Sequence, residues 1–165
     1  MDLSLALTRQ FRAGLAMLDD CIVRCPDTLW TEGRHPRTFW RIAYHALFYT
    51  HMYLMPKHED FQPWDRHVSH GPVLWDDDEG GVPPREHPYT RDDLREYLRI
   101  LDANIASWIE AIDLDSTNSG FPWYPIPKLE HVLVTLRHLG IHVGQLQERL
   151  LAEGIDPKWV GSVSS

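Results

Sequence analysis

The chain has 165 residues, of which 43% are apolar and 24% charged, and its formal net charge is −8. This length and balance are those of one globular domain that can bury a core. Nucleic-acid binding needs clustered basic residues, so an acidic chain with scattered lysines and arginines predicts no such partner. Nothing approaches the roughly 20 apolar residues that span a bilayer, and the first residues lack a basic segment. We therefore expect no membrane span and no signal peptide, with a cytoplasmic location as the default.

The first predicted helix runs from Leu3 to Arg24, because its apolar residues recur at alternating spacings of four and three. Pro26 ends it. Cys21 and Cys25 lie on the apolar stripe. Two cysteines one turn apart make no disulfide framework, so we expect both to be small core residues.

A second helix is predicted after a loop from Thr28 to Pro36. It should begin near Pro36 or Arg37 and end before Pro56. Because this segment is apolar almost all round, it should be the most buried helix. His45 lies in its middle, and residue type alone favours a hydrogen-bonded core histidine over a metal ligand.

Residues 56–88 form a connection of about thirty residues that prolines and glycines interrupt, which is long for a compact domain. It could be a disordered insert, a functional lid or a crossover between two parallel helices. Trp64 and Trp75 indicate that part of it packs, which favours the lid or the crossover. The acidic run Asp76–Glu79 is typical of a solvated turn and not of a metal site.

The third helix is predicted to begin at Thr90, a good N-cap residue, and to fade near Asp115. Acidic residues in its first turn suit the helix dipole. The loop from Ser116 to Pro127 follows. Its aromatic residues are expected to close one end of the bundle: Phe121, Trp123 and Tyr124.

The fourth helix is predicted from about Pro127 to Glu153, with Gly154 after its C-cap. His138 and His142 lie one turn apart in it, beside the apolar stripe, so their imidazoles could reach one divalent ion. His131 lies two turns before His138, too far to share that ion. The stripe itself consists of Leu129, Val132, Leu133, Leu136, Leu139, Val143, Leu146 and Leu150. We expect Trp159, in the tail, to pack back on the bundle.

Four long helices with one long central connection predict an all-α, single-domain four-helix bundle. Short loops make helices 1 and 2 antiparallel, and likewise helices 3 and 4. The long crossover lets helices 2 and 3 run parallel, which gives an up-down-down-up order.

No rival motif carries chemistry in this sequence. Paired Glu-x-x-His motifs of di-iron bundles, an H-E-x-x-H motif, a nucleophile elbow and a phosphate-binding glycine loop are all absent from it. Neither cysteine has an activating neighbour in sequence. What remains is a single histidine in helix 2 and the His138-x-x-x-His142 pair in helix 4.

The segment Arg137–Leu146 resembles the H-x-x-x-H-x-G-Q-[LI] signature of the DinB-like, YfiT-related (damage-inducible) family. That family also has one histidine in an apolar second helix, which is similar to Ala43–Leu47 here. The opening of helix 3 at Pro88–Leu98 and the ending Gly154–Trp159 are similar to family members too. The resemblance covers nearly the whole chain in element order, although only the helix 4 motif is specific.

The resemblance implies the same up-down-down-up bundle and a metal site formed by His45, His138 and His142. Three neutral imidazoles with one open position suit a catalytic site for a divalent ion. Zinc or nickel is expected first, with iron, cobalt or manganese as alternatives. Gln145, one turn from a ligand, could orient it or simply pack, and Tyr49 is expected to be a core residue.

The function that the resemblance implies is a metal-dependent thiol transferase that acts on a low-molecular-weight thiol and a small electrophile. The alternatives are a non-catalytic metal-binding stress-response module and a metal-dependent hydrolase, for which no dedicated general base is evident. A homodimer is also expected. The remaining loop histidines should be solvated: His35, His58, His67, His70 and His87.

Overall fold

The computed structural model describes residues 2–75 and 87–163. Within these residues the chain is all-helical, as predicted, and a 3-10 turn at His58–Asp60 is its only other helical element. The α-helices, labelled in chain order, are α1 (Leu3–Arg24), α2 (Asp27–Trp30), α3 (Phe39–Tyr53), α4 (Arg91–Ala111) and α5 (Lys128–Ala152). No helix in the part of the chain described here is long and apolar enough to cross a membrane.

Helices α1 and α4 run antiparallel along one side of the bundle. Arg12 pairs with Asp102 at 3.5 Å, and Asp19, further along α1, pairs with Arg95 at 2.8 Å, earlier along α4. These ion pairs are exposed and add little stability by themselves. The apolar stripes between them, centred on residues such as Leu18, form the packed contact.

Helices α3 and α5 also run antiparallel. Tyr53, at the end of α3, lies against His131 near the start of α5, with ring centroids 5.0 Å apart. His45, two turns earlier in α3, lies against His142 further along α5, at 4.4 Å. This pair of helices carries every histidine of the predicted metal site.

Helices α3 and α4 run parallel. Trp40 near the start of α3 meets Tyr89 just before α4, and His51 near the end of α3 stacks on Trp108 near the end of α4. The pair directions agree with the up-down-down-up order that the loop lengths predict. Gly14 of α1 lets that helix approach α5, since a Cβ there would lie 2.7 Å from a methyl carbon of Leu139.

Both ends of α1 and α5 and the start of α4 lie within one residue of the predicted positions, whereas α4 ends at Ala111, earlier than the predicted Asp115. Thr90 caps α4 in a capping box with Asp93, in which each side chain accepts a hydrogen bond from the other residue's backbone. Gly154 directly follows Glu153, the C-cap residue of α5. Its φ is +75°, a backbone conformation that favours glycine. The predicted bounds of α1, Leu3 and Arg24, match the structure.

Two boundary predictions are wrong. Helix α3 begins at Phe39 with Thr38 as its N-cap, not at Pro36, because residues 34–37 form a turn in which the Arg37 amide donates to the carbonyl of Arg34. The predicted loop from Thr28 overlaps the four-residue helix α2, which begins at Asp27 and buries Leu29 and Trp30 in the core.

Two predicted core contacts are also wrong. Leu133 is 50% exposed and lies on the outer face of α5, because the core stripe of that helix is narrower than its apolar composition suggests. Trp159 is 79% exposed. The tail attaches to α1 through its backbone instead, where the Lys158 amide donates to Asp20 and the Gly161 carbonyl accepts from Gln10.

The connection between α3 and α4 packs on the bundle in its first part. Trp64 is buried and stacks on Tyr97 of α4 at 4.8 Å, as the prediction of a packed segment requires, whereas Trp75 is half-exposed. Fully buried Arg41 of α3 donates from Nη2 to the carbonyl of His70, at 2.6 Å. The acidic run Asp76–Glu79, predicted to be a solvated turn, lies outside the described residues.

Candidate metal centre

Three histidines meet between α3 and α5. His138 Nε2 lies 2.9 Å from His45 Nε2 and 3.1 Å from His142 Nε2. The three candidate ligand atoms, one from each histidine, all lie within 4.8 Å of one another. The i,i+4 spacing brings His138 and His142 to one face of α5, and the antiparallel packing of α3 brings His45 opposite them. The histidines that sequence reasoning selected are therefore neighbours in space.

Hydrogen bonds at the far nitrogens fix how two of these rings point. His45 Nδ1 lies 2.6 Å from the carbonyl oxygen of Pro72, and His142 Nδ1 lies 2.9 Å from Oε1 of Gln145. Both oxygens only accept, so each Nδ1 carries the proton. The Nε2 atoms of neutral His45 and His142 are therefore lone-pair donors that face His138, the arrangement typical of metal-binding histidines.

The Nε2 contacts cannot all be hydrogen bonds. Only His138 Nε2 could carry a proton, and a single N–H satisfies one of its two neighbours. A cation at the point that the three atoms share would instead accept three lone pairs. Tetrahedral zinc with Zn–N bonds of 2.0–2.1 Å places its nitrogens about 3.3 Å apart, a few tenths of an ångström wider than here. The buried three-histidine cluster can thus hold a metal ion with a small expansion.

The electrostatics of the cluster favour neutral rings. The pKa of His45 is lowered to about 3, mainly by burial; the nearby His142 and His138 contribute to this fall, and the Pro72 carbonyl opposes it. Burial, together with His142, lowers the pKa of His138 to about 4. The pKa of His142 is lowered by burial as well. Because a metal binds the neutral imidazole, the protein presents its ligands ready for a cation at neutral pH.

The sequence left two roles open for Gln145, orienting a ligand or packing, and predicted that Tyr49 is a core residue. Gln145 contacts His142 by a hydrogen bond, so it orients a ring and does not merely pack. Tyr49 lies with its ring 4.5 Å from that of His45 and 5.6 Å from that of His138. It therefore packs against the core, as expected, and also covers one side of the cluster.

The crossover supplies contacts that sequence reasoning missed. Pro72 holds His45 from the segment after α3, and Arg41, one turn before His45, donates to the carbonyls of His70 and Val73 on either side of that proline. Because His45 and Pro72 lie 27 positions apart in the chain, no local sequence pattern predicts this contact. The lone arginine in an otherwise apolar helix was the only available signal for Arg41.

A cavity of about 760 Å³ adjoins the cluster. This volume lies within the range of small-molecule binding sites. His45 and His142 border it, so the histidines have access to a space large enough for a ligand. The remaining lining residues come from α3, α5 and the flanking segments: Arg37, Ile42, Leu74, Trp75, Gly144, Gln145, Glu148 and Arg149.

Other histidines lie apart from the cluster. His131 is fully buried among the rings of Tyr53, Phe121 and Tyr124. Of the three loop aromatic residues predicted to close this end of the bundle, Phe121 and Tyr124 pack there, whereas Trp123 is half-exposed. The prediction that His67 is solvated is wrong. It is partly buried, because its Nδ1 forms a 2.7 Å hydrogen bond with the Tyr44 hydroxyl.

The cysteines take no part in the site. Cys21 and Cys25 are free and buried in the core, as expected. Burial raises the pKa of Cys21 to about 12 and that of Cys25 to about 11, so both are protonated at neutral pH and are poor nucleophiles.

No protein-family profile, curated protein or solved structure matches this chain. The function of this chain is therefore inferred from its residues and their geometry.

Proposed function

We propose that this protein is a divalent-metal-binding bundle of the DinB-like type that works as a metal-dependent thiol S-transferase. The observation that carries the proposal is the convergence of three histidine Nε2 atoms beside a cavity of about 760 Å³. Three protein ligands leave a coordination position for a small molecule, as in catalytic zinc-type sites. Imidazole ligands suit zinc and nickel, which we propose as the first metals to test.

His45, His138 and His142 would hold the ion, and the contacts of Pro72 and Gln145 keep two of those rings in the ligating tautomer. A bound divalent ion would supply one chemical property, the deprotonation of a thiol that coordinates it. The thiolate is the reactive form of a thiol. The chain itself contributes no reactive thiol, since both cysteines are buried and protonated. The nucleophile must therefore enter through the cavity as a separate molecule.

The cavity walls fit a small organic ligand. Ile42, Leu74 and Trp75 line the cavity together with His45 and His142, so an apolar part of a ligand has a surface to contact there. In the proposed reaction the thiol sulfur forms a bond to an electrophilic carbon of a second substrate. The leaving group departs with the bonding electrons, and the thiol proton passes to solvent.

A thermal-shift panel tests this proposal. The zinc- and nickel-loaded proteins are each heated with glutathione, bacillithiol, mycothiol and coenzyme A. A ligand present at about 100 times its dissociation constant stabilises the folded protein by about 2.7 kcal/mol, which raises the melting temperature measurably. We expect at least one thiol to do so, and we expect metal removal to abolish the shift.

The control is His138→Ala, which removes the histidine that touches both others. This variant should bind neither metal nor thiol while it retains its helical circular-dichroism spectrum. Thiol transfer by His138→Ala in the presence of a chelator would overturn the metal-dependent reaction. Metal binding without a response to any thiol would instead favour the non-catalytic metal-binding module.

A further inference from the structure

Two arginines line the cavity that adjoins the histidine cluster. Arg37 lies just before α3, and Arg149 lies in the last turns of α5. Arg37 Nε donates to the carbonyl of Leu74 at 2.8 Å, and Arg149 Nη2 donates to the carbonyl of Arg37 at 3.0 Å. These hydrogen bonds tie the Arg37 side chain to the backbone of the connection, and the Arg149 side chain to the backbone that precedes α3. Neither group forms an ion pair with a carboxylate among residues 2–75 and 87–163.

Arg149 has donor capacity to spare. Its Nη1 atom is buried beside Gly33 and has no hydrogen-bond partner within the described residues. Burial lowers the pKa of this arginine, against a weaker opposing effect of Glu32, which shows that its charge is partly desolvated. A buried cation is costly unless an anion or a full set of hydrogen bonds compensates it. Because the Arg149 side chain also lines the cavity, an oxyanion bound there would compensate this charge, since a guanidinium fork binds such a group through two N–H groups.

The positions of the arginines set a length for the ligand. Arg149 follows His142 by seven residues on α5, about 10 Å along the helix axis. Between them the cavity wall is formed by Gly144, which has no side chain, and by Gln145. The apolar side chains of Leu74 and Trp75 line the same space. The cavity therefore has a lone-pair-rich end at the histidines, an apolar middle and a cationic end.

We propose that the cavity binds a small molecule that carries an oxyanion, a carboxylate or a phosphate, about 10 Å from its metal-binding atom, with Arg149 and Arg37 as the anion subsite. The metal-binding end of this ligand depends on the proposed function, whereas the anion subsite does not. Glu148 also lines the cavity and opposes an anion there, so the residues that line the cavity carry one net positive charge.

Matched thiols test the subsite. Isothermal titration calorimetry of the zinc-loaded protein compares ω-mercaptoalkanoates with ω-mercaptoalcohols of equal chain length, and with the corresponding ω-mercaptoalkyl phosphates. We expect the acid or the phosphate to bind at least about tenfold more tightly than the alcohol at the chain length that spans the two ends. The preferred anion then distinguishes a carboxylate ligand from a phosphate ligand.

Variants assign the effect to the arginines. Arg149→Gln should reduce the acid-to-alcohol affinity ratio to about one, and Glu148→Gln should increase it. If Arg149→Gln does not fold, Arg37→Gln provides the same comparison. Metal affinity, measured by competition with a chelator, should be unchanged in each variant, because none of these residues contacts the histidine nitrogens.

Octanoate, which lacks a thiol, separates failure of the subsite from failure of the proposed function. Thiol acids and alcohols that bind equally would overturn the anion subsite and leave the thiol chemistry intact. Octanoate that binds the wild type more tightly than Arg149→Gln, while no thiol binds, would support the subsite and overturn the thiol chemistry. If neither octanoate nor any thiol binds, both proposals are wrong.

Discussion

Helices α3 and α5 bury histidines at two places about two turns apart: the cluster of His45, His138 and His142, and the aromatic surroundings of His131. The two places differ in the hydrogen-bond partners of their ring nitrogens. At one, three Nε2 atoms lie within about 3 Å of a neighbour and two of the rings are held by oxygen acceptors. At the other, His131 lies among aromatic rings, and neither of its ring nitrogens has a hydrogen-bond partner among the described residues. Burial alone therefore does not identify a ligand.

What separates the two places is the direction of the lone pairs. The oxygens of Pro72 and Gln145 fix the protons of His45 and His142 on Nδ1, so both rings present Nε2 to a common point. Among the residues that the structure describes, His131 has no such oxygen acceptor and no second imidazole in contact with it. It lowers the stability of the fold by the cost of an unsatisfied polar ring. The same residue type thus serves binding at one place and only fills volume at the other.

The largest expected effect comes from one substitution made at both places. His45→Phe should reduce zinc affinity by more than about 100-fold, because losing a ligand exceeds the 10- to 100-fold effect of losing a ligand's hydrogen-bond partner. His131→Phe should leave the affinity unchanged. Chelator competition measures both. Equal losses in the two variants would show that the comparison is wrong and that the metal binds elsewhere.

The next effect concerns pH. Burial, with Lys128 as a second cause, lowers the pKa of His131 to about 4 from an unfolded value of 6.5. As the pH falls below 6.5 the unfolded chain takes up this proton first, so stability is lost between pH 6.5 and 4, by about 2 to 3 kcal/mol from this residue. Urea unfolding of the metal-free proteins should show that His131→Phe lacks this part of the loss.

Both proteins in that experiment keep the three-histidine cluster, so its contribution to the pH dependence cancels between them. His131→Phe should also be at least as stable as the wild type at pH 7, since a phenyl ring suits the surrounding Tyr53, Phe121 and Tyr124. A variant whose acid slope equals that of the wild type would exclude His131 as a source of the pH dependence.

Gln145 tests the orienting contact on its own. Gln145→Ala should weaken metal binding by about 10- to 100-fold, the usual range for the hydrogen-bond partner of a ligating histidine. Gln145→Glu keeps an oxygen acceptor and should restore the affinity. Gln147→Ala, which removes an exposed side chain that donates to the Lys158 carbonyl, is the control and should have no effect on the metal. Unchanged affinity in Gln145→Ala would mean that the ring needs no partner there.

The smallest effect is expected in the tail, far from both places. Trp159→Ala should change the free energy of unfolding by no more than about 0.5 kcal/mol, because its side chain is 79% exposed. Thermal unfolding measures the change. Destabilisation of 2 kcal/mol or more, a magnitude typical of core residues, would mean that Trp159 packs on the bundle after all.

Local patterns in the sequence determined most of the helical frame. The apolar spacing fixed the length of α1, the capping box at Thr90 fixed the start of α4, and the i,i+4 pair placed His138 and His142 on one face of α5. Each of these depends on residues within a few positions of one another. His45 was selected through the family resemblance, since residue type alone favoured a core histidine.

Only the tertiary structure decided how the site is supported and what adjoins it. Pro72 meets His45 across 27 positions, and Arg149 meets Arg37 across 112, so no local spacing could have indicated either contact. The same reason explains why Trp159, apolar in sequence, proved exposed. Local patterns specify which residues share a helix face, but the contacts between faces, and hence the cavity and its cationic end, depend on how the helices pack.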